Sequence, residues 1–398
     1  MKVNLAVMFG GKSVEHEISV ISALQALEHI DRDKYEVMPI YITKQGLMYT
    51  GKEVGKIDAY KNIDTLLKKS RQIVLTNDAG KTVVVDYPLK FRMGRKPPVV
   101  IDFVLPIVHG TNVEDGTLQG FLKTLGVPFA GCDVLSSAVG MDKHIMKLVF
   151  ANAGIPVLND RCYFKSTFSQ DEERVVIDIE NAFAYPVIVK PINLGSSIGI
   201  RKAADRSELI EALEFAFQFA SSVLVERAIT HLREINCAVL GDANEAVASE
   251  CEEPLNATDI LSYEDKYLCD GKSSGSSKGM VSLARKIPAD ITMEQRNTIQ
   301  SMAVKAFQAI GGNGVARIDF MIDKDDGTIY LNEINTIPGS MSFYLWESSG
   351  ISYSQLIEKL IKLGLKRARE EANIVFSFDT NVLNKCNIGG SKSGKLRK

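Results

Sequence analysis

The stretch VARIDFMIDKDDGTIYLNEINTIPGS, residues 315–340, constrains the fold more tightly than any other part of the chain. Residues 315–323 alternate in polarity and are rich in β-branched side chains, 324–327 read as a turn, and 328–335 alternate again, so a β-hairpin is predicted. Successive strand side chains point to opposite faces, which puts Arg317 and Asp319 on one face and Glu333 with Asn335 on one face of the partner strand. Two carboxylates, an amide and a guanidinium can then converge. Oxygen-only groups of this kind suit a hard divalent ion such as magnesium, which usually shares its coordination with substrate phosphates, and a nucleotide site is expected. A wet face on a half-solvated hairpin would explain any one of these residues. It fits the set poorly, because the rest of both strands is apolar (Ile318, Phe320, Ile322, Ile329, Leu331, Ile334).

A chain of 398 residues, 45% hydrophobic and 24% charged, has the composition of a globular enzyme of two or three domains. The net charge of -2 and pI near 6.3 give no electrostatic footprint for nucleic acid or an anionic membrane, so any anion is bound locally. The six cysteines include no C-x-x-C pair and no regular spacing, which points to reduced thiols rather than a zinc site or a disulfide framework. The N-terminal MKVNLAVMFGG has only a short apolar run, and no later segment approaches a membrane span in length. A cytoplasmic location is expected.

Residues 3–9 read as a strand, followed by Gly10-Gly11-Lys12-Ser13 and a helix over 14–30, with Ser13 as a cap and Glu15 in the first turn. The glycines do not form a dinucleotide fingerprint, since the third glycine is missing. A second strand is expected at 35–42, and 49–98 reads as a surface excursion with a hairpin at 72–87 and a basic run at 90–96. A continuous buried strand is predicted over 99–108, ending at His109, where a parallel α/β sheet lines its ligand crevice. Helices are expected at 118–125, 136–152, 208–220, 294–310 and 353–371. Strands are expected at 185–190, 223–229 and 236–240, with a mixed polar segment around Arg233 and Glu234. Between strands, Gly195, Ser196 and Ser197 form a loop whose N–H and hydroxyl groups can cover a polyphosphate, with Lys190 placed to meet its charge. Residues 256–288 hold few core residues and a Gly/Ser-rich stretch at 271–279, read as either a linker or a lid. Residues 373–398 lack periodicity and are expected to be a disordered tail.

Together FGGKSVEHEIS, HGTNVEDGTLQG, MDKHIMK, VIVKPINLGSSIGI, SYEDKYL and RIDF with LNEINTIPGS resemble the ATP-grasp superfamily, and within it the D-alanine:D-alanine ligases. The motifs occur in the family's order and span residue 2 to about 369. The resemblance implies an α/β ATP-grasp fold with a Rossmann-like parallel-sheet domain at 1–131. ATP-grasp subdomains would follow at 132–229 and at 230–372, the latter carrying the lid 256–288. Lys143 and Lys190 resemble the lysines that hold the ATP phosphates, with Gly195, Ser196 and Ser197 covering them and Lys266 in the lid. Glu226 and the backbone of Ile229 would meet adenine. Glu234, after an apparent one-residue insertion, would meet the ribose. Asp319, Glu333 and Asn335 match the ligands of magnesium or manganese, with two ions implied.

The same resemblance puts Glu15 and His109 near the first D-alanine, reversing the structural reading that position alone gives Glu15. Ser196 and Tyr267 match a hydrogen-bonded trio completed by Glu15, and Arg317 with the Gly339 backbone would stabilise a tetrahedral oxyanion. Tyr344-Leu345 stands at the site of the acceptor carboxylate, where the family often has Ser-Leu. The implied activity is ATP-dependent synthesis of D-alanyl-D-alanine for peptidoglycan through an acyl phosphate, in a cytoplasmic homodimer without nucleic-acid or membrane partners. D-serine as acceptor, another carboxylate-amine ligase, and a nucleotide-binding regulator are the alternatives.

Overall fold

A computed structural model describes residues 2–88, 98–255 and 285–376. Its first sheet comprises β1 (Val3–Gly10), β2 (Tyr35–Ile42), β3 (Met48–Thr50), β4 (Arg71–Asp78), β5 (Lys81–Asp86), β6 (Val99–Val100) and β7 (Phe103–Ile107). The order is β6-β5-β4-β3-β2-β1-β7, with β1 parallel to β2 and β7 and the other pairings antiparallel. Leu5, Val7 and Phe9 enter one core with the helices His16–His29 and Tyr353–Glu371, while Ala6 and Met8 enter another with Leu118 and Leu122. Burial on both faces is why β1 reads as an unbroken apolar run.

Three expectations are corrected here. Residues 49–88 are no surface excursion: β3, β4 and β5 extend the sheet from β2, the hairpin expected at 72–87 is present as β4 and β5, and alternation on it buries Ile73, Leu75 and Val84, while the basic run at 90–96 lies outside the described residues. The single strand over 99–108 is two strands at opposite edges of the sheet, parted at Ile101-Asp102. There Ile101 N donates to Thr82 O (2.9 Å) and Asp102 N to Asn4 O (2.9 Å), so the sheet curls until its edges are two residues apart in the chain. The helix over 136–152 is also two, Val134–Met141 and Lys143–Asn152. Asp142 divides them because its carboxylate accepts from His144 N and Ile145 N and so caps the second.

A second, antiparallel sheet contains β8 (Asp160–Phe164), β9 (Val187–Pro191), β10 (Arg201–Ala203) and β11 (Ser222–Arg227) in the order β10-β9-β11-β8. The third contains β12 (Leu232–Gly241), β13 (Ala246–Pro254), β14 (Arg285–Lys286), β15 (Gly314–Asp323) and β16 (Ile329–Asn335) in the order β14-β13-β12-β15-β16. Arg233 and Glu234, expected in a mixed segment, are therefore within β12. On β15, Ala316, Ile318, Phe320 and Ile322 pack beneath the helix Met293–Ala309, leaving Arg317 and Asp319 on the opposite face. The predicted hairpin is present, with one refinement. Asp319 pairs with Glu333 but Phe320 with Leu331, so Asn332 is an extra residue in a bulge and faces the same side as Glu333.

Candidate active site

A cleft of about 570 Å³ is lined by residues from the second and third sheets and from the turns around 15, 109 and 195, a size suited to a small-molecule site. On its hairpin wall the Arg317 guanidinium donates through Nε and Nη2 to both Asp319 oxygens at 2.7 Å, and Asn335 Nδ2 donates to Asp319 Oδ2 at 3.2 Å. Strand pairing sets Asp319 directly across from Glu333 and Arg317 across from Asn335. Lys143 Nζ reaches Glu333 at 3.1 Å and donates to Leu194 O at 2.7 Å. Burial would weaken the charge of Arg317, but Asp319 outweighs it and keeps the guanidinium firmly protonated.

The far end holds a buried charge cluster. Glu226, 1% exposed, pairs with Lys190 at 2.5 Å and with Lys147, and Lys190 also donates to Asn332 Oδ1 at 3.1 Å. Burial alone would raise the Glu226 pKa, but the two lysines hold it below the usual range. Lys147 is shifted down by burial, against the pull of Glu226. It went unassigned in the sequence, although a signal exists: Lys143, Met146, Lys147 and Phe150 form one buried helical stripe. Ile229 and Glu234 also line the cleft.

The turn wall is assembled differently. Ser196 Oγ donates to Glu15, and Gly195 packs so close that an added Cβ would lie 2.7 Å from a Glu15 oxygen. Ser196 and Ser197 adopt φ of 55° and 59°, and Ser340, Met341 and Ser342 adopt 49°, 53° and 49°, left-handed values that strain non-glycine residues and cluster at functional sites. Ser13 does not cap the helix as expected: Glu15 occupies the N-cap position without a side-chain capping bond, and Ser13 Oγ accepts from Glu15 N (3.1 Å) in the turn before it.

His109 is buried and does not project freely into the cleft. Its Nδ1 must donate to the Ile337 carbonyl (2.8 Å), which leaves Nε2 to accept from the Ser22 hydroxyl (3.0 Å), and Ser22 Oγ in turn accepts from Ser340 N (2.9 Å). Burial, with Arg317 nearby, lowers its pKa to about 4, so the ring is neutral. Glu114, overlooked in the sequence, accepts from Gly110 N (2.9 Å), Ile337 N (2.9 Å) and the Thr336 hydroxyl (3.3 Å). Burial and the charge of Glu15 push its carboxyl up to about 7. Gly339 lines the cleft, but Tyr344 and Leu345 are in the core behind it, Leu345 packed with Trp346 and Leu356. Lys266, Tyr267, most of the expected lid and the tail from 377 lie outside the described residues.

Among the described residues no group of three or more His, Cys, Asp and Glu side chains is arranged to hold a metal. Asp319, Glu333 and the amide of Asn335 nevertheless form an oxygen donor set on one face, which fits a hard divalent ion. No described helix is long and apolar enough to cross a membrane.

Residues 4–132 match the family profile "D-ala D-ala ligase N-terminus" and residues 149–362 match "D-ala D-ala ligase C-terminus". Curated relatives named D-alanine--D-alanine ligase include one from Thermosipho melanesiensis, 41% identical over 382 residues (96% of this chain, 98% of the relative). Another, from Acetivibrio thermocellus, is 42% identical over 377 residues (92% and 96%). Among solved structures, the D-alanine-D-alanine ligase of Coxiella burnetii superposes with a TM-score of 0.76 at 28% identity, covering 97% of this chain and 98% of that one. The VanG D-Ala:D-Ser ligase of Enterococcus faecalis gives 0.75 at 31% identity, covering 92% and 100%.

Proposed function

The chain belongs to the D-alanine–D-alanine ligase family, with its ATP-grasp fold, and we propose that it joins two D-alanines into D-alanyl-D-alanine, with ATP converted to ADP and phosphate, for peptidoglycan synthesis. The observation that carries the reading is the convergence, in one cleft, of two buried lysines, a carboxylate–arginine hairpin face and the Ser196–Glu15 link.

The carboxylate of the first D-alanine attacks the γ-phosphorus of ATP, the bond to the bridging oxygen breaks, and ADP leaves an acyl phosphate. Such a transfer depends on positioning and charge neutralisation, the role assigned to Lys143 and Lys190, with Gly195, Ser196 and Ser197 covering the phosphates. Asp319, Glu333 and Asn335 would hold magnesium or manganese, two ions in the full complex, which supply further neutralisation of phosphate charge. Glu226, Ile229, Glu234 and Lys266 are assigned to the nucleotide. Glu15 orients the first D-alanine, with Ser196 and, in this proposal, Tyr267. The network of His109 supports a role in holding the neighbouring backbone rather than a direct proton transfer.

The unprotonated amine of the second D-alanine then attacks the acyl carbon. The resulting oxyanion is met by Arg317 and the Gly339 N–H, each donor of this kind being worth about 3 kcal/mol, and collapse breaks the C–O bond and releases phosphate. A cytoplasmic homodimer completes the proposal. Phosphate release measured with D-alanine, D-serine, D-lactate and no amino acid tests it. D-alanine alone should support rapid release and dipeptide formation. Preference for D-lactate, or no release with D-alanine, would overturn the reading. Preference for D-serine, the acceptor in the name of the VanG enzyme, would change only the second substrate.

A further inference from the structure

Resting on the ligase reading, we propose that Arg285 binds the α-carboxylate of the acceptor amino acid and sets acceptor choice, with Tyr344 as its platform and Glu252 as its guide. Arg285 opens β14 and lines the cleft together with Glu252, Asn236, Arg317 and Gly339. Its guanidinium carbon sits over the Tyr344 ring, 3.8 Å from the centroid, a cation–π contact. Its Nη1 lies 3.5 Å from Glu252 Oε2, and Asn236 Nδ2 holds the other Glu252 oxygen at 3.5 Å.

A guanidinium anchored over a ring and by one nitrogen to a carboxylate is fixed in place, and its planar fork of N–H donors is the group that grips a carboxylate in two places. The position also matches the chemistry. An acceptor amine attacking beside Arg317 and Gly339 carries its carboxylate one carbon away, so that carboxylate needs a donor at the same end of the cleft. Arg317 is bound through two of its nitrogens to Asp319, Lys143 is engaged by Glu333 on the hairpin wall, and Lys190 by Glu226 at the far end. Among the described residues, Arg285 is a cationic group mounted beside Arg317 and Gly339, where it can serve the acceptor end. Tyr344 thus acts on the acceptor through the arginine above it, although its own side chain lies behind the cleft wall. Tyr344 is accordingly a positioning residue.

The test uses the full chain with ATP, D-alanine and D-alaninamide, which can accept but has no carboxylate to bind or donate. Products are quantified as dipeptide against dipeptide amide. Wild type should favour the dipeptide strongly. Arg285→Gln should lower the dipeptide-to-amide ratio by about 10- to 100-fold, the loss of one charge-assisted carboxylate contact, with the KM for ATP unchanged. Arg285→Lys should recover part of the ratio. Tyr344→Leu, which keeps an apolar side chain in the core, should shift the ratio in the same direction by a smaller factor and decides the matter if Arg285→Gln does not fold. An unchanged ratio in both Arg285→Gln and Tyr344→Leu would overturn the assignment and leave Arg285 as a brace for β14. Absence of any dipeptide from wild type would instead refute the ligase reading itself.

Discussion

The hairpin wall and the turn wall of the cleft place their polar groups by different means. On β15 and β16 the period of a strand does the positioning: an apolar face is buried, so Arg317, Asp319, Glu333 and Asn335 must lie on the other. Around 195–197, 109–114 and 337–342 no period helps. There, residues in left-handed conformations stand beside buried bonds: Ser22 accepts from Ser340 N, His109 and Glu114 hold the Ile337 backbone, and Glu15 accepts from Ser196. Charges sit where regular structure can carry them, and oriented dipoles sit where buried hydrogen bonds override backbone preference.

If the hairpin wall carries the charge work, Glu333→Gln should cost the most activity and the least stability. A loss of about 10²-fold or more in kcat is expected, since one of the carboxylates proposed to hold the phosphate-neutralising metal loses its charge. Thermal unfolding should be nearly unchanged, because Glu333 is only half buried. Near wild-type turnover at ordinary magnesium would remove the hairpin from the mechanism.

The turn wall should show the reverse balance in Glu114→Gln. An amide can accept on one oxygen only, so Gly110 N or Ile337 N loses its acceptor at a cost of about 1–3 kcal/mol, read by urea unfolding at pH 5, where the carboxyl is neutral as the amide is. The pH dependence sharpens this. With its carboxyl raised to about 7, Glu114 contributes stability that is full below about 4.5 and lost as pH rises through 7. His109, lowered to about 4, contributes stability that is full above about 6.5 and lost as pH falls toward 4. The two slopes oppose each other between pH 4.5 and 6.5. Removing Glu114 should therefore make stability drop more steeply on acidification than in wild type, and an unaltered slope would show that this pair does not titrate as described.

The smallest effect tests the strain itself. Ser342 has φ of 49°, and its buried hydroxyl has no hydrogen-bond partner among the described residues. Ser342→Gly should raise stability by up to about 1 kcal/mol, seen as a small increase in Tm. A decrease would mean that the serine side chain holds this turn.

The same contrast explains what could be read without coordinates. The hairpin and the helix Tyr353–Glu371 were legible because their periods are strong and their faces distinct. Asn332 was missed, yet Leu331 and Ile334, apolar residues three apart on one buried face, break the strand period and betray the bulge. Strand β13 left no prediction because its acidic residues mask the alternation. Arg285 lay inside a stretch whose composition suggested only a linker or lid, and nothing local announces that it stacks on a residue 59 positions later. Glu114 likewise depends on partners 222 and 223 residues away, which no window of sequence contains.

Those separations bear on the life of the chain before the cleft exists. His109 meets Ile337 across 228 residues, and Ser22 meets Ser340 across 318. Closing such loops is entropically slow and has to follow the local hairpins and helices. During synthesis from the N-terminus, the first sheet is made long before residue 340 emerges, so His109 and Ser22 wait without their distant acceptors and donors. Catalytic competence is therefore a late event in folding, and a partly unfolded molecule whose first sheet has let go of the 337–342 turn loses activity while most of its secondary structure persists.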